Sequence, residues 1–284
     1  MEKYCVLYNP YAASGTGKAS AEKLTSIMPD DKLDFVDMTE IGDYASFFSS
    51  IGADMKLVIS GGDGTLNRFI NDTENIDIPC SVYYFATGTG NDFLNDIGGS
   101  KGDKPFCIDR YIKDLPTVTV KGKTYRFING VGYGIDGYCC EVGDQMRETS
   151  DKPVNYTSIA IKGLLFHYKP TNATVIVDGK EYSYKKVWIA PTMKGRFYGG
   201  GMMPTPKQDR LDAERKLSLM VFHGSGKIHT LMVFPSLFKG EHVNHEKIVA
   251  VLEGKEITVK FDQPTALQID GETILGVTEY TARI

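Results

Sequence analysis

Three glycine-rich segments of the chain combine small residues with hydroxyl, amide and carboxylate side chains. They are Asn9–Lys18 (NPYAASGTGK), Gly61–Asn67 (GGDGTLN) and Thr87–Asp92 (TGTGND). Glycine lets backbone N–H groups approach an anion closely, and a following helix adds unpaired donors and a favourable dipole. Asp63 adds a carboxylate, a ligand type that Mg²⁺ prefers. Each segment alone could be an ordinary turn with a helix cap, but their repetition predicts a cradle for a triphosphate.

Each of these segments lies where a predicted strand is followed by a predicted helix. The strands are Lys3–Asn9, Lys32–Met38, Lys56–Ser60 and Ser81–Ala86, and the helices are Lys18–Met28, Gly42–Ile51, Thr65–Asp72 and Asn91–Asp96. This alternation predicts a parallel sheet that is covered by helices on both faces. In such sheets ligands bind at the carboxyl ends of the strands, which is where the three turns are expected.

The pattern changes after about Pro116, where closely spaced strands and short turns predominate. The predicted strands are Thr117–Val120, Thr124–Asn129, Ala173–Val177, Glu181–Ile189, Leu217–Phe222, Ile257–Phe261, Ala266–Ile269 and Glu279–Ile284. Turns such as Asp178-Gly179 indicate antiparallel hairpins. Two helices are predicted, at Tyr156–Phe166 and Lys227–Phe238.

The predicted fold is therefore an α/β nucleotide-binding domain of residues 1–115, followed by a mostly antiparallel β-sandwich domain of residues 116–284. The last strand could pack back on the first domain. We expect the active site in a cleft between the two domains.

The composition is that of an ordinary globular protein, with 284 residues, 42% hydrophobic and 24% charged. A net charge of −4 and a pI near 5.8 argue against nucleic acid as a partner. The sequence shows neither a signal peptide nor an apolar run of the ~20 residues that a spanning helix needs. No pair of cysteines has the spacing of a zinc site, so reduced thiols in the cytoplasm are expected.

Two familiar nucleotide-binding motifs are matched incompletely or give only weak evidence. A Walker A loop ending at Gly17-Lys18 would need Gly where Ala12 stands and Ser or Thr where Ala19 stands. The run from Gly132 to Gly137 satisfies G-x-G-x-x-G literally. It lies among segments that look like strands, without an acidic ribose ligand after a βαβ unit, so it is weak evidence for a dinucleotide site.

The three turns resemble motifs of the diacylglycerol kinase catalytic domain, a family that includes bacterial lipid kinases and sphingosine kinases. NPYAASGTGK resembles its NPxSG opening, SGGDGTLN its GGDGT signature and ATGTGNDF its GTGND motif. Further along, NGVGYGIDG is similar to its GxGxDA segment, YGGGMMPTPKQDRLDAERKL to its GGG…P…DDG segment and LQIDGE to its terminal DGE. GGDGT is shared with NAD kinases and phosphofructokinases, whereas the six motifs in this order are specific.

The resemblance implies an ATP-binding set that extends beyond the glycine turns. Its members are Asn9, Pro10, Ser14, Gly15, Thr39, Gly61, Gly62, Gly64, Thr65, Asn67, Gly88 and Thr89. Thr39 enters because MTEIGDYA resembles a threonine-rich segment of the family. Asn91 and Asp92 are expected near the lipid substrate.

The resemblance also implies acidic residues with separate roles. Asp63 would act in catalysis and in holding Mg²⁺, and Glu272 matches the general base, although Asp270-Gly271-Glu272 could equally be a turn between strands. Asp212 matches the acidic residue of a structural metal loop. The family pattern there is D-D-G-x-L, whereas this chain lacks the glycine and is two residues longer. Arg68 replaces a glutamate that is common in the family.

The expected function is therefore an ATP- and Mg²⁺-dependent kinase that phosphorylates the hydroxyl of a lipid, most simply diacylglycerol. Three alternatives stay open: a related kinase with a soluble acceptor such as NAD, a nucleotide-binding regulator without catalysis, and a nicotinamide-dependent oxidoreductase. A lipid kinase of this kind would be cytoplasmic and would visit the membrane surface reversibly, for example through Leu164, Leu165 and Phe166. A homodimer is one possible assembly.

Overall fold

The computed structural model describes residues 1–52, 54–88, 91–149 and 154–284, without the side chains of Ala13, Ser14 and Thr157. Within it the chain forms two compact units, Met1–Leu115 and Pro116–Ile284. No helix among the described residues is long and apolar enough to cross a membrane.

The first unit alternates strands with short helices. Its strands are β1 (Lys3–Tyr8), β2 (Lys32–Asp37), β3 (Met55–Gly61), β4 (Val82–Ala86) and β5 (Phe106–Cys107). Its helices are α1 (Ala12–Gly15), α2 (Gly17–Glu22), α3 (Leu24–Ile27), α4 (Tyr44–Ser50), α5 (Asp63–Asp72), α6 (Asp92–Asp96) and α7 (Asp109–Ile112). β1 is buried over five of its six residues, as expected for a strand with both faces covered.

The sheet of the first unit has the order β2-β1-β3-β4-β5. The four predicted strands pair in parallel, but β5, which was not predicted, pairs antiparallel with β4 through Tyr83 and Tyr84. The prediction of a wholly parallel sheet is therefore wrong at this edge. A strand of two residues carries no periodic pattern, so β5 could not be predicted from the sequence.

The predicted helix Lys18–Met28 is divided in the structure. α2 ends at Glu22 and α3 begins at Leu24, with Lys23 between them. The inner face of both helices is nevertheless continuous, because Ala21 and Leu24 are fully buried against the sheet. The prediction of helical structure in this segment is therefore confirmed, and the break at Lys23 was not predicted.

The described residues of the second unit form ten strands. They are β6 (Thr117–Val120), β7 (Lys123–Arg126), β8 (Gly130–Tyr133), β9 (Thr171–Val177), β10 (Lys180–Val187), β11 (Thr192–Met193), β12 (Leu217–Phe222), β13 (Val249–Gly254), β14 (Glu256–Ile269) and β15 (Glu272–Arg283). Its helices are α8 (Ile135–Thr149), α9 (Tyr156–Lys162) and α10 (Lys227–Val233), with a π-helical turn at Gly163–His167 and 3₁₀ turns at Phe234–Lys239 and Glu241–Asn244.

All pairings in this second sheet are antiparallel, and the path runs β13-β12-β11-β8-β14-β15-β6-β7 with β9 and β10 attached to β14. Segments that were predicted as two strands, Ile257–Phe261 and Ala266–Ile269, form the single strand β14. Its register against β15 shifts between Lys260 and Leu267, as at a β-bulge where a strand bends. Residues from both ends of the path, including Val118 and Leu219, share one buried cluster, so the sheet folds over a common core.

Tight turns of the second unit follow the predicted glycine chemistry. Asp178 and Gly179 between β9 and β10 have φ angles of +47° and +82°. Positive φ at both central residues is typical of the two-residue hairpin loop that suits the twist of antiparallel strands. The predicted hairpin at Asp178-Gly179 is confirmed.

Helix α8 was not predicted, because its first turns are rich in glycine. A Cβ atom at Gly137 would lie 1.9 Å from the carbonyl oxygen of Ala266, and Gly134 has a φ of +120° close to Trp188. Gly137 lets the helix lie directly on β14, and Gly134 lets the chain that enters the helix pass close to Trp188. Because β8 pairs antiparallel with both β14 and β11, the motif lacks the parallel βαβ unit that a dinucleotide site needs.

The three residues that were predicted to contact the membrane differ in their exposure to solvent. Leu164 is buried in the core of the second unit, so its prediction as a surface residue is wrong. Leu165 is half-buried, and Phe166 is 72% exposed.

Candidate active site

The three glycine-rich turns follow β1, β3 and β4, which are neighbours in the first sheet. The strands are parallel, so their carboxyl ends meet at one edge. The backbone N–H groups of Thr87 and Gly88 both donate to the carbonyl oxygen of Gly61, at 2.8 and 3.4 Å. The turns after β3 and β4 are therefore joined by hydrogen bonds, and a single anion site at the three turns stays a prediction.

Glycine is required where these two turns approach each other. A Cβ atom on Gly88 would lie 2.5 Å from the Cα of Gly62, closer than real side chains allow. A Cβ on Gly61 would collide with the side chain of Thr65 at 2.3 Å. A side chain at position 88 would push the two turns apart, and one at position 61 would displace Thr65 at the start of α5. By contrast, no described atom lies within 4 Å of a Cβ added at Gly64 or at Gly15, so among the described atoms these two glycines face open space.

Asp63 connects the turn after β3 to the helix after β4. Its Oδ2 accepts a hydrogen bond from the backbone N–H of Asp92 at 2.8 Å, and its Oδ1 accepts one from Phe93 at 3.0 Å. Below it, the hydroxyl of Tyr84 donates to the carbonyl of Gly61 at 3.1 Å. Burial raises the pKa of Tyr84 well above its usual value, and the nearby carboxylates of Asp63 and Asp92 raise it further. The tyrosine is therefore a neutral hydroxyl beneath the turns.

The first turn is organised by Asn9. Its side-chain oxygen accepts a hydrogen bond from the N–H of Tyr11 at 3.0 Å, and its carbonyl accepts one from Ala12 at 3.1 Å. Pro10 between them is partly exposed. Ser14 belongs to α1, and its side chain lies outside the described atoms.

Thr39 follows the carboxyl end of β2. Both its N–H and its hydroxyl donate to Oδ1 of Asp37, at 2.8 and 2.7 Å. β2 is the parallel neighbour of β1. The structure thus brings Thr39 to the same edge of the sheet as the first turn.

Other predicted nucleotide residues take part in the architecture of the turns. Thr65 and Asn67 are buried on α5, where the side-chain amide of Asn71 donates to the carbonyl of Asn67 at 2.9 Å. Arg68 points along the exposed face of that helix and pairs with Asp72 at 3.3 Å. Thr89 lies outside the described residues.

Asn91 and Asp92, predicted near the lipid, are both buried. Asn91 has a left-handed φ of +47°, and its amide donates to the carbonyl of Gly88 at 2.8 Å. This closes the turn after β4. An asparagine suits such a position because its short polar side chain can bond to local backbone.

Lys101 is a residue that sequence reasoning missed. Its ammonium group donates to the carbonyl oxygen of Gly88 at 3.0 Å, which puts a positive charge beside the joined turns. It lies in a polar loop without a motif, so no local pattern distinguishes it from Lys104 nearby. A cation at this position is suited to contact phosphate.

Several buried oxygens at this edge favour a polar ligand. The hydroxyls of Ser60 and Thr87 and the side-chain oxygen of Asn91 have no hydrogen-bond partner among the described residues. A buried polar group without a partner costs about 1–3 kcal/mol. A nucleotide or water that bonds to these oxygens would remove that cost, so the residues present fit a nucleotide.

The acidic groups also fit Mg²⁺ held together with phosphate. Mg²⁺ usually takes one or two protein carboxylates, and the other ligands come from phosphate and water. Asp63 has such a carboxylate, and although each of its oxygens accepts one backbone hydrogen bond, a carboxylate has further lone pairs for a cation. Mg²⁺ binding by Asp63 stays a prediction. No three His, Cys, Asp or Glu residues cluster in the described part of the chain, so those residues do not form a cage made of protein ligands alone.

The predicted turn at Asp270-Gly271-Glu272 is the hairpin between β14 and β15. Asp270 and Gly271 have φ angles of +47° and +101°, and Ile269 pairs with Glu272. Gly271 donates its N–H to the side chain of Gln268 at 2.7 Å. The hairpin fixes Glu272 as the first residue of β15.

The two carboxylates of this hairpin have different surroundings. Asp270 accepts hydrogen bonds from the backbone N–H groups of Ile128, Asn129 and Gly130 at 2.6, 2.8 and 2.9 Å. Glu272 is exposed, and its carboxylate makes no hydrogen bond within the described part of the chain. Asp270 therefore holds the backbone in place, whereas the carboxylate of Glu272 has no such structural contact among the described residues.

Comparison with known proteins identifies the family. Residues 3–120 match the diacylglycerol kinase catalytic domain. Residues 129–283, more than half of the chain, match the YegS C-terminal NAD kinase beta sandwich-like domain. The chain belongs to the diacylglycerol kinase catalytic-domain family. The family and the two-domain fold class that the motifs predicted are confirmed.

Individual relatives in the diacylglycerol kinase family are distant. A diacylglycerol kinase from Mycobacterium tuberculosis is 24% identical over 199 residues, which cover 68% of this chain and 62% of that protein. The match thus spans less than two thirds of the relative's own length. A crystal structure of a diacylglycerol kinase from Bacillus anthracis has a TM-score of 0.60 and 18% identity, with 99% of this chain and 93% of that chain covered. That likeness supports the fold.

In this member of the diacylglycerol kinase family, Arg210 stabilises the segment that Asp270 holds. Its guanidinium donates to the carbonyl of Ile128 and, at 2.9 Å, to the side chain of Asn129. Arg210 is almost completely buried. Arg210, from the segment that resembles the GGG…P…DDG motif, therefore binds the carbonyl of Ile128, while Asp270 binds N–H groups of the same stretch. Together the two side chains fix the backbone next to the hairpin of Glu272.

Asp212 closes its own loop. Its carboxylate accepts hydrogen bonds from the N–H groups of Glu214 at 3.1 Å and Lys216 at 3.3 Å. Arg215 has a φ of +55° in the loop where the diacylglycerol kinase family pattern has a glycine. One carboxylate that is already engaged by backbone does not make a metal cage, and a metal site at Asp212 stays a prediction.

Asp136, from the GxGxDA-like segment, is a buried acid that sequence reasoning did not single out. Its Oδ2 accepts a hydrogen bond from the hydroxyl of Tyr198 at 3.1 Å. Burial raises the pKa of the carboxyl from its ordinary 3.8 to about 6, and the bond from Tyr198 offsets part of that rise. The residues around Asp136 in the sequence do not distinguish a buried aspartate from an exposed one.

Proposed function

We propose that the protein transfers the γ-phosphoryl group of ATP to the hydroxyl of a lipid, diacylglycerol or a related lipid. The observation that carries the proposal is the bond of Asp63 to the N–H groups of Asp92 and Phe93, because it joins the GGDGT and GTGND turns around one carboxylate. The family supports a phosphotransferase, and the name of the mycobacterial relative supports a lipid acceptor.

The nucleotide would be held by backbone N–H groups of the glycine turns. Gly15 and Gly64 face open space, so phosphate oxygens can approach the backbone there without meeting a side chain. Lys101 would add a positive charge beside Gly88. Mg²⁺ held by Asp63 would neutralise phosphate charge in this arrangement.

The acceptor hydroxyl needs a base, and Glu272 is the proposed one. The hydroxyl oxygen would attack the γ-phosphorus as its proton passes to the Glu272 carboxylate. The bond between the γ-phosphorus and the oxygen that bridges to the β-phosphate breaks, and ADP leaves. Asp270 is less suited to this role because both of its oxygens already accept backbone hydrogen bonds.

A phosphoryl-transfer assay tests the proposal. Radiolabelled ATP is supplied with Mg²⁺ and, in separate reactions, with detergent-dispersed diacylglycerol, sphingoid base, ceramide, phosphatidylglycerol and a polyprenol, or with NAD. We expect label in at least one lipid and none in NAD, and we expect the Asp63→Asn protein to be inactive in parallel. Label in NAD alone would identify a kinase with a soluble acceptor. Tight ATP binding without label in any acceptor would support a regulator and overturn the proposal.

A further inference from the structure

Helix α10 carries its apolar residues on both faces. On the inner face Thr230 and Val233 are buried. On the outer face Ile228 is 72% exposed and Met232 is 68% exposed. Residues four apart lie on the same side of a helix, so these two side chains form one exposed apolar stripe. An outer helix face is usually polar, and the stripe therefore needs an explanation.

The stripe continues onto a neighbouring element. The π-helical turn Gly163–His167 packs against α10, and the ammonium of Lys227 donates to the carbonyl of Leu165 at 2.8 Å. Phe166 on this turn is 72% exposed, and Phe238, beyond the end of α10, is 45% exposed. We call Phe166, Ile228, Met232 and Phe238 the apolar outer face.

The chain segments that carry the apolar outer face have a positive balance of charge. The two segments that carry it, Tyr156–Pro170 and Lys227–Gly240, contain no Asp or Glu, although the whole chain has a net charge of −4. Their basic residues, all exposed, are Lys162, His167, Lys169, Lys227, His229 and Lys239. The nearest acid along the chain, Glu241, follows the second segment.

We propose that the apolar outer face docks on the surface of an anionic phospholipid bilayer. Apolar side chains would enter the boundary of the acyl chains while the basic rim contacts lipid phosphates, as in interfacial helices. The charge pattern favours this occupant over a second copy of the chain, since two identical basic rims would repel each other. The biological purpose of the contact rests on the proposed lipid kinase function, but its test does not.

The docking elements are connected to the hairpin that carries Glu272. α9 packs on α8, and α8 packs on both β14 and β15. The second unit thus combines the bilayer contact and the proposed base in one packed body. A lipid that leaves the bilayer at this face would meet elements that support the Asp270-Gly271 turn.

Co-sedimentation with vesicles tests the docking without ATP. Vesicles consist of phosphatidylcholine alone or of phosphatidylcholine mixed with phosphatidylglycerol. The variants are Ile228→Asp with Met232→Asp, and Lys162→Gln with Lys169→Gln and Lys239→Gln. The matched control is Val251→Asp, an apolar residue that is 41% exposed on β13. A basic residue near an anionic surface contributes about 1 kcal/mol, roughly a fivefold change in affinity.

The wild-type protein should bind the phosphatidylglycerol vesicles more tightly than the neutral ones, with a difference that shrinks at high salt. The lysine variant should lose at least about tenfold in affinity for the anionic vesicles only. The double aspartate variant should lose binding to both, and Val251→Asp should behave as wild type. Equal binding of wild type and double aspartate variant would overturn the proposal, as would a double aspartate variant that changes oligomeric state while vesicle binding is unaffected.

A kinase assay separates this proposal from the proposed function. With a short-chain diacylglycerol that is monomeric in water, the double aspartate variant should match wild type, and it should fall behind only when the acceptor is in vesicles. Absence of turnover by every protein, together with the predicted vesicle binding, would overturn the kinase function but leave the docking surface intact.

Discussion

The carboxylate of Asp63 accepts a hydrogen bond of 2.8 Å from the backbone N–H of Asp92, which lies 29 residues further along the chain. The same carboxylate reaches the N–H of Phe93 at 3.0 Å. One acidic side chain therefore fixes the start of α6 and thereby the turn after β4. This relationship gives Asp63 a positioning role in addition to the metal-binding role that its motif predicts.

Substitution of Asp63 by Asn should lower kcat/KM by at least ~10²-fold, because a positioned charge is lost at the phosphate site. Asn also keeps only one acceptor oxygen for the two backbone donors. Steady-state kinetics at several Mg²⁺ concentrations measure the effect. Asp72→Asn is the matched control, since that carboxylate forms an exposed pair with Arg68, and it should remain active. Near-normal turnover of Asp63→Asn at saturating Mg²⁺ would contradict the assignment.

Substitution of Lys101 by Ala should raise the KM for ATP by about tenfold or more, because a charge-assisted hydrogen bond is worth about 1.5–3 kcal/mol. Lys101→Arg should retain most of the affinity, since it preserves the charge. Lys104→Ala, an exposed lysine three residues away, serves as the control and should not change the KM. If Lys101→Ala lowers the melting temperature without changing the KM, the lysine supports the loop and does not contact the nucleotide.

The sequence predicted the elements of the first unit that carry strong periodic patterns. β1, β3 and α4 appear within a residue or two of their predicted bounds. Their buried apolar runs, and the cap that Asp43 provides for α4 through Ala45 and Ser46, are local features that can be read from neighbouring residues. The glycine-rich turns also lie at their predicted positions, because the preference of glycine for turns depends on the local backbone.

What the sequence did not reveal depends on contacts between distant segments. Helix α8 contains glycines that look unfavourable until Ala266 is seen against Gly137. The ammonium group of Lys101 lies beside the turn after β4 because it donates to the carbonyl of Gly88, 13 residues earlier. The choice between Asp270 and Glu272 depended on N–H groups about 140 residues away in the chain. None of these relationships leaves a periodic or spacing signal.

Substitution of Glu272 by Gln should lower kcat by ~10²–10⁴-fold, as expected for loss of a general base. ATP affinity should stay within a few-fold, and the melting temperature should not change because the carboxylate is exposed. Turnover of a short-chain lipid and calorimetric ATP binding measure the two quantities.

Asp270→Asn is the control for Glu272 and should give the opposite pattern. Its carboxylate accepts three backbone hydrogen bonds, and bonds to a charged group are worth about 1.5–3 kcal/mol each. The melting temperature should therefore fall. A stable Asp270→Asn protein without turnover, beside an active Glu272→Gln protein, would move the base to Asp270.

Asp136 makes the stability of the protein depend on pH in a predictable direction. Burial raises its pKa from 3.8 to about 6, so the folded state binds the proton more tightly than the unfolded state. The stabilisation by this proton is complete below pH ~4 and is lost as the pH rises through about 6. A difference of about two pKa units corresponds to about 3 kcal/mol.

Asp136→Asn should remove this dependence, because its amide is never charged. The free energy of unfolding of the variant, relative to wild type, should increase by about 2 kcal/mol between pH 4.5 and pH 7.5. Urea unfolding at intervals across that range measures the difference. The exposed Asp72→Asn should show no such increase. A constant difference between Asp136→Asn and wild type at every pH would mean that the carboxyl titrates normally, and that water reaches it through the packing around Tyr198.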